Sequence, residues 1–212
     1  LKKAYESTPE SDFAVGIAQT RIQVQQEQFE AALATLVRLK KLQPHHPFVL
    51  RQLKIVYLKL EDWQQVIKLI PFLRKELKED ESELKELELL AWNNLFSQKT
   101  EEILHRNQTN SATEVLAALW KTVPDKLYSN VSLVRTYAEQ LIKVNQSVES
   151  EALLRITLNQ HWHTDLVSLY GTVKGANPEE QLLHAENWLK GRPNNATLLL
   201  ALGRLSLQNK LW

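Results

Sequence analysis

Apolar residues recur at helical spacing along most of this chain, and the clearest example is the stretch Pro47–Lys78. In its first half, Leu50, Leu53 and Tyr57 stand at i, i+3 and i+7 and therefore share one face of a helix. The second half repeats this spacing in Trp63, Val66, Ile67, Ile70 and Leu73. The acidic pair Glu61-Asp62 separates the halves, so the pattern predicts a turn between two antiparallel helices whose apolar faces pack together.

The same periodicity predicts helices along the rest of the chain, with breaks at prolines and polar clusters. Their approximate bounds are 12–25, 28–42, 48–60, 62–79, 81–98, 112–123, 131–144, 147–160, 165–174, 178–190 and 195–208. Leu1–Tyr5 is interpreted as the tail of a helix, and the polar segment 99–110 is left without an assigned structure. Asn130 and Asn195 each precede a helix, where asparagine is a favoured cap.

The helices also repeat in pairs, because the aromatic residues Phe29 and Trp63 are 34 residues apart. Two helices in about 34 residues are typical of the tetratricopeptide pattern. Phe29, Ala32, Leu36 and Pro44 fit its aromatic, small, apolar and proline positions. A single hairpin cannot bury its apolar stripes alone, so it needs similar neighbours. The sequence therefore predicts an all-α fold, a right-handed superhelix of tetratricopeptide-like antiparallel helix pairs (an α-solenoid).

These pairs are expected to form a single array over residues 1–212. Its approximate units are 10–45, 46–79, 80–124, 128–162, 164–193 and a partial unit, 195–212. Trp212 stands where the opening aromatic of a partner helix belongs. We therefore expect the array to continue, the helix 195–208 to expose an apolar face, and extension past Trp212 to raise stability.

Composition excludes several classes of site. The chain has no cysteine, which excludes disulfides, thiolate metal sites and cysteine nucleophiles. Its net charge of +1 gives no indication of nucleic acid or acidic lipid as a partner. No apolar run approaches the length of a membrane span, and no signal peptide is visible.

No catalytic constellation is present, so we predict no catalytic residues and no enzyme activity. The five glycines form none of the dinucleotide, phosphate-loop or hydrolase motifs. His45-His46 and His161-Trp162-His163 are interpreted as turn histidines, and no third ligand of suitable spacing predicts a metal site. Haem or porphyrin contact through one of these histidines is the alternative.

Six tryptophans raise the question of a stacking platform for nucleic acid. Trp63, Trp92, Trp120 and Trp188 lie on apolar stripes, and no cluster of basic residues interleaves them. Packing in the core is therefore the preferred interpretation.

The first helix of each stacked pair lines the inner face of such a superhelix. This register places five residues of the second pair on that face: Arg51, Gln52, Ile55, Leu58 and Lys59. The corresponding residues of the fourth and last pairs are Arg135, Glu139, Lys143, Leu200, Arg204 and Gln208. Mixed basic and apolar groups predict a groove for an acidic or amphipathic peptide segment, and ordinary solvated helix positions are the alternative.

Several runs resemble the proteobacterial HemY family. They include LQPHHPFVLRQLKIVYLKLEDWQQVIKLIPFLRK, ELLAWNNLF, ALLRITLNQHWHTDLVSLYG and NPEEQLLHAENWLKGRPNNATLLLALGRLSLQNKLW. The resemblance implies a tetratricopeptide region of a bacterial inner-membrane protein that is linked to haem or porphyrin biosynthesis. It further implies that this chain is the soluble part, with the membrane anchor outside it. The flavin-dependent oxidase that shares the HemY label is not implied, because the chain lacks a glycine-rich flavin motif.

The leading hypothesis is a non-enzymatic scaffold whose groove binds other proteins, such as haem-pathway enzymes, without a cofactor. Two alternatives remain: a haem or porphyrin carrier that uses His45, His46, His161 or His163, and an adaptor for envelope assembly.

Overall fold

A computed structural model describes residues 9–107 and 111–209, with side chains from residue 11 onward. The described residues form α-helices joined by short turns, with no strand among them. The α-helices are α1 Pro9–Gln25, α2 Phe29–Leu42, α3 Pro47–Lys59, α4 Trp63–Phe72, α5 Glu81–His105, α6 Ala112–Trp120, α7 Val131–Lys143, α8 Ser147–Gln160, α9 Thr164–Tyr170, α10 Pro178–Gly191 and α11 Ala196–Gln208. The all-α prediction is confirmed, whereas the expectations for Leu1–Tyr5 and Trp212 lie outside the described residues.

Three helices end four or more residues away from their predicted ends. α4 changes at Phe72 into a π-helical turn, Leu73–Leu77, just after Pro71, because proline lacks an N–H and disturbs the helical ladder. α5 continues through the unassigned segment as far as His105, where Ile103 is buried. α9 ends at Tyr170, four residues earlier than expected.

The turns inside three hairpins share one backbone geometry. Glu27, Glu61 and Asn145 each adopt a positive φ, between 53° and 63°. Each donates its N–H to the carbonyl three residues back, and the next residue donates to the carbonyl five residues back. For Glu61 and Asp62 these bonds measure 3.3 and 3.0 Å. This arrangement satisfies carbonyls at the end of a helix and reverses the chain.

The chain divides into two compact units, and the division falls inside α5 between Ala91 and Trp92. In the first unit α1 packs on α2, α2 on α3 and α3 on α4. Its core consists of fully buried aliphatic side chains, among them Leu36, Leu39, Leu50, Leu53 and Leu73. Trp63 is half-buried and packs against this core, as predicted.

In the second unit α7 packs on α8, α8 on α9 and α10 on α11. α9 also packs against both α7 and α11, which is the neighbour relation expected when hairpins stack. Trp92 and Trp188 are only 3% and 8% exposed, and the Trp120 ring stacks on Tyr137 with 4.4 Å between centroids. The core interpretation of these tryptophans is confirmed. The handedness of the superhelix and the single array over 1–212 stay predictions.

Asn130 and Asn195 cap α7 and α11, as predicted. Their side-chain oxygens accept hydrogen bonds from the N–H groups of Leu133 and Leu198, at 3.2 and 2.9 Å. Such a bond satisfies one of the free donors at a helix start. These caps fix where α7 and α11 begin, and thereby which of their residues face solvent.

Candidate functional site

The predicted inner residues of the second pair form one exposed face of α3. Arg51, Ile55 and Lys59 stand at i, i+4 and i+8, opposite the buried residues of the same helix. Ile55 is 39% exposed, and Gln52 and Leu58 lie beside it, half-buried. We call these five residues the α3 surface.

The two cations of the α3 surface are not neutralised. Neither Arg51 nor Lys59 forms an ion pair with another described residue. Lys54, on a different side of α3, does pair with Glu79, with its Nζ 2.8 Å from Oε1. The α3 surface therefore offers two free positive charges on either side of an exposed aliphatic side chain, a combination that suits an acidic, amphipathic segment.

The predicted residues of the fourth pair form a comparable face on α7, with an internal ion pair. Arg135, Glu139 and Lys143 stand at i, i+4 and i+8, and we call them the α7 surface. Arg135 Nε lies 2.9 Å from Glu139 Oε1. This hydrogen bond raises the pKa of Arg135. Part of the predicted positive charge is therefore neutralised, and Lys143 remains exposed.

Arg204 lies on α11 and is half-buried, between aliphatic side chains that face solvent. Leu200 and Leu207 are 55% and 61% exposed, and Leu199 is 47% exposed. The expected apolar face of this helix is present. α9 packs against both α7 and α11. The α7 surface and the exposed residues of α11 therefore lie on helices that are joined through α9 in the second unit.

The four candidate haem histidines lie in two turns, one in each unit. His45 Nδ1 lies 3.2 Å from Glu76 Oε1, and His46 packs edge-on against Phe13. His163 Nδ1 accepts a hydrogen bond from the N–H of Asp165 and caps α9, whereas His161 is exposed. Among the described residues no three His, Asp or Glu side chains are placed to hold a metal ion together.

One feature was missed from the sequence, a cleft of about 140 Å³ between α8 and α10. Its lining includes Glu151, Arg155, Asn177, Glu180, Gln181 and His184. We call it the α8–α10 cleft. The sequence contains one sign of it, a charged residue at an apolar position of the helical pattern. Leu154 and Leu158 follow Glu151 at i+3 and i+7, and all three residues are buried.

A hydrogen-bond network forms the floor of this cleft. Tyr170, fully buried, donates its hydroxyl to Glu151 Oε1 at 2.9 Å, and Arg155 Nε donates to the same oxygen at 3.0 Å. Gln181 Nε2 donates to the carbonyls of Tyr170 and Val173, at 3.2 and 2.9 Å. Burial raises the pKa of Tyr170 well above its usual range, and the nearby Glu151 carboxylate raises it further. The Tyr170 hydroxyl therefore keeps its proton at neutral pH and donates it in the hydrogen bond to Glu151.

The chain is similar to Protein HemY. It is 24% identical over all 212 residues to Protein HemY of Escherichia coli strain K12, and equally identical to the proteins of that name from Escherichia coli O157:H7 and Shigella flexneri. The chain spans about half of each relative, 51% of its length. No family model matches the chain. No solved structure matches it either.

The similarity to HemY covers the α3 surface, the α7 surface and the α8–α10 cleft, because it extends over the whole chain. Within the described residues, no helix of this HemY-like chain combines the length and apolar character needed to cross a bilayer.

Proposed function

We propose that this chain is a non-enzymatic binding scaffold of a HemY-like, membrane-associated protein that serves haem biosynthesis. It holds another protein, an enzyme of that pathway, and supplies no catalytic group or cofactor of its own. Two findings support the proposal: the similarity to HemY over the whole chain and the exposed, unpaired cations of the α3 surface.

The α3 surface is the observation that carries the proposal. Free cations at Arg51 and Lys59 attract an acidic segment, and they are four residues to either side of Ile55. The exposed Ile55 gives such a segment an apolar anchor, which charge alone does not supply. The face is rigid, since the opposite side of α3 is packed into the core through Leu50 and Leu53.

Affinity capture of the full-length protein from its native membrane tests this proposal. The double variant Arg51→Glu with Lys59→Glu is expected to lose the partner, because an acidic segment then meets two like charges. The matched control is Lys68→Glu, an exposed charge reversal on α4. Each captured protein is identified by mass spectrometry, and a haem-pathway enzyme is expected.

Equal capture by all three proteins would overturn the role of the α3 surface. Capture of an envelope-assembly protein that depends on Arg51 and Lys59 would instead favour the adaptor function.

A further inference from the structure

We propose that the α8–α10 cleft binds a cationic side chain, the guanidinium of arginine or the ammonium of lysine, contributed by a partner protein. The inference rests on the proposed scaffold function for the source of the cation. It concerns a different surface from the α3 surface, on different helices.

The carboxylate of Glu151 is the group that recognises the cation. Its side chain is 9% exposed, so it is nine-tenths buried. Oε1 already accepts hydrogen bonds from Tyr170 and Arg155, whereas Oε2 has no hydrogen-bond donor among the described residues. Oε2 is therefore open to a donor from outside the chain, and a charged N–H donor forms the strongest hydrogen bond with a carboxylate.

The charge of the surroundings decides the sign of the ligand. Glu151 and Glu180 line the cleft together with one cation, Arg155, which is held at Oε1. α8 and α10 as a whole carry five carboxylates and two cationic side chains, leaving His184 aside. The lining therefore carries two carboxylates against one guanidinium, and this excess of negative charge favours a cation over an anion.

The size of the cleft fits one side-chain head group. A cavity near 150 Å³ holds a molecule as large as benzene, and this cleft measures about 140 Å³. A Cβ added to Gly175 would lie 3.0 Å from Glu151 Cγ and 3.1 Å from Gln181 Oε1. The loop at Gly175 therefore lies close to Glu151 and Gln181, and a larger side chain at this position would crowd both of them.

Nuclear magnetic resonance titration of the 212-residue chain tests the inference with three blocked amino acids as probes. N-acetyl-arginine amide and N-acetyl-lysine amide carry the cation, and N-acetyl-citrulline amide is the neutral analogue of the first. Saturable shifts of the His184 ring and the Gln181 side-chain amide are expected with a cationic probe only. Comparison of the dissociation constants of the arginine and lysine probes shows which of the two side chains the cleft prefers.

Glu151→Gln is expected to weaken binding about tenfold or more, since a charge-assisted hydrogen bond becomes a neutral one. Glutamine still accepts from Tyr170, which favours retention of the fold. Glu149→Gln, an exposed change on the same helix, is the matched control and is expected to stay within about twofold of the unchanged protein. Glu180→Gln, also exposed, tests the rim independently of the buried network.

Equal shifts with the citrulline probe, no shift with any probe, or equal loss in Glu149→Gln and Glu151→Gln would each overturn the inference. Arginine or lysine binding that persists in a protein that captures no partner would count against the scaffold function and leave the cleft assigned. If no probe binds while the protein still captures its partner, the cleft assignment is overturned and the scaffold function stands.

Discussion

At the scale of single residues, Gly171 marks a close approach between the end of α9 and α11. A Cβ added there would lie 2.7 Å from the Cα of Ala201, whereas one added to Gly203 meets nothing within 4 Å. Gly171→Ala is therefore expected to lower the free energy of unfolding by about 1–3 kcal/mol, because backbone must move. Gly203→Ala is expected to raise it by about 0.5–1 kcal/mol, because alanine favours a helix.

Urea unfolding of the two glycine variants measures this difference. Equal stability of Gly171→Ala and Gly203→Ala would show that α9 and α11 do not approach as closely as described.

Tyr137 gives a pH dependence at the same scale. Burial raises its pKa to about 12 in the folded chain, from 10.0 for an exposed tyrosine. The folded state thus keeps a proton that the unfolded state loses, so this contribution to stability is full below about pH 10 and falls as the pH rises towards about 12. Tyr137→Phe is expected to show a smaller loss of stability between about pH 9 and about pH 11.

The measurement for Tyr137 is the urea midpoint at each pH, followed by circular dichroism. Tyr128→Phe, a half-buried member of the same aromatic cluster, is the control. Parallel curves for the Tyr137→Phe variant and the unchanged chain would contradict the assignment.

At the scale of elements, the turn between α3 and α4 holds a glutamate in the left-handed region, with φ of 53° at Glu61. A residue with a Cβ is disfavoured there by about 1 kcal/mol relative to glycine, and a β-branched residue fits worse. Glu61→Gly is expected to maintain or raise the thermal midpoint, and Glu61→Val to lower it.

Calorimetry of both Glu61 variants tests the turn. The control is Gln64→Val, an exposed substitution in the first turn of α4 that also introduces a β-branched side chain. A loss in Gln64→Val as large as in Glu61→Val would assign the effect to helix propensity instead of the turn.

Sequence periodicity predicted the elements well where one apolar stripe dominates, as in α7, whose buried face includes Leu133, Tyr137 and Leu141 and whose end differs from the predicted one by a single residue. It failed at the end of α5, where the segment is mostly polar and shows no apolar periodicity. The helix continues there because Lys99 pairs with Glu102 and Ile103 is buried. The α8–α10 cleft was missed for a different reason. Glu151, Tyr170 and Gln181 are distant in sequence and are joined only by tertiary hydrogen bonds.

At the scale of the whole molecule, the candidate histidines of the haem-carrier alternative are divided between the two units. His45 and His46 belong to the first unit and His161 and His163 to the second, and His163 caps α9. We expect haemin added to the chain to give no Soret shift that depends on a histidine. Titration of the unchanged chain and of variants with each of these four histidines replaced by alanine measures this.

A sharp Soret shift that disappears in one of these variants would replace the scaffold function by a carrier function. His184→Ala, outside both turns, controls for non-specific loss of haemin binding.

The repeated turn has a consequence for how such a chain diverges. Its reversal depends on two backbone hydrogen bonds, while the side chains at the two positions differ: Glu27 with Gln28, Glu61 with Asp62, and Asn145 with Gln146. The turn requires a left-handed conformation at its first position and no particular side chain, so we expect any residue that tolerates a positive φ to preserve the hairpin. Different residue types in one chain thus make the same reversal.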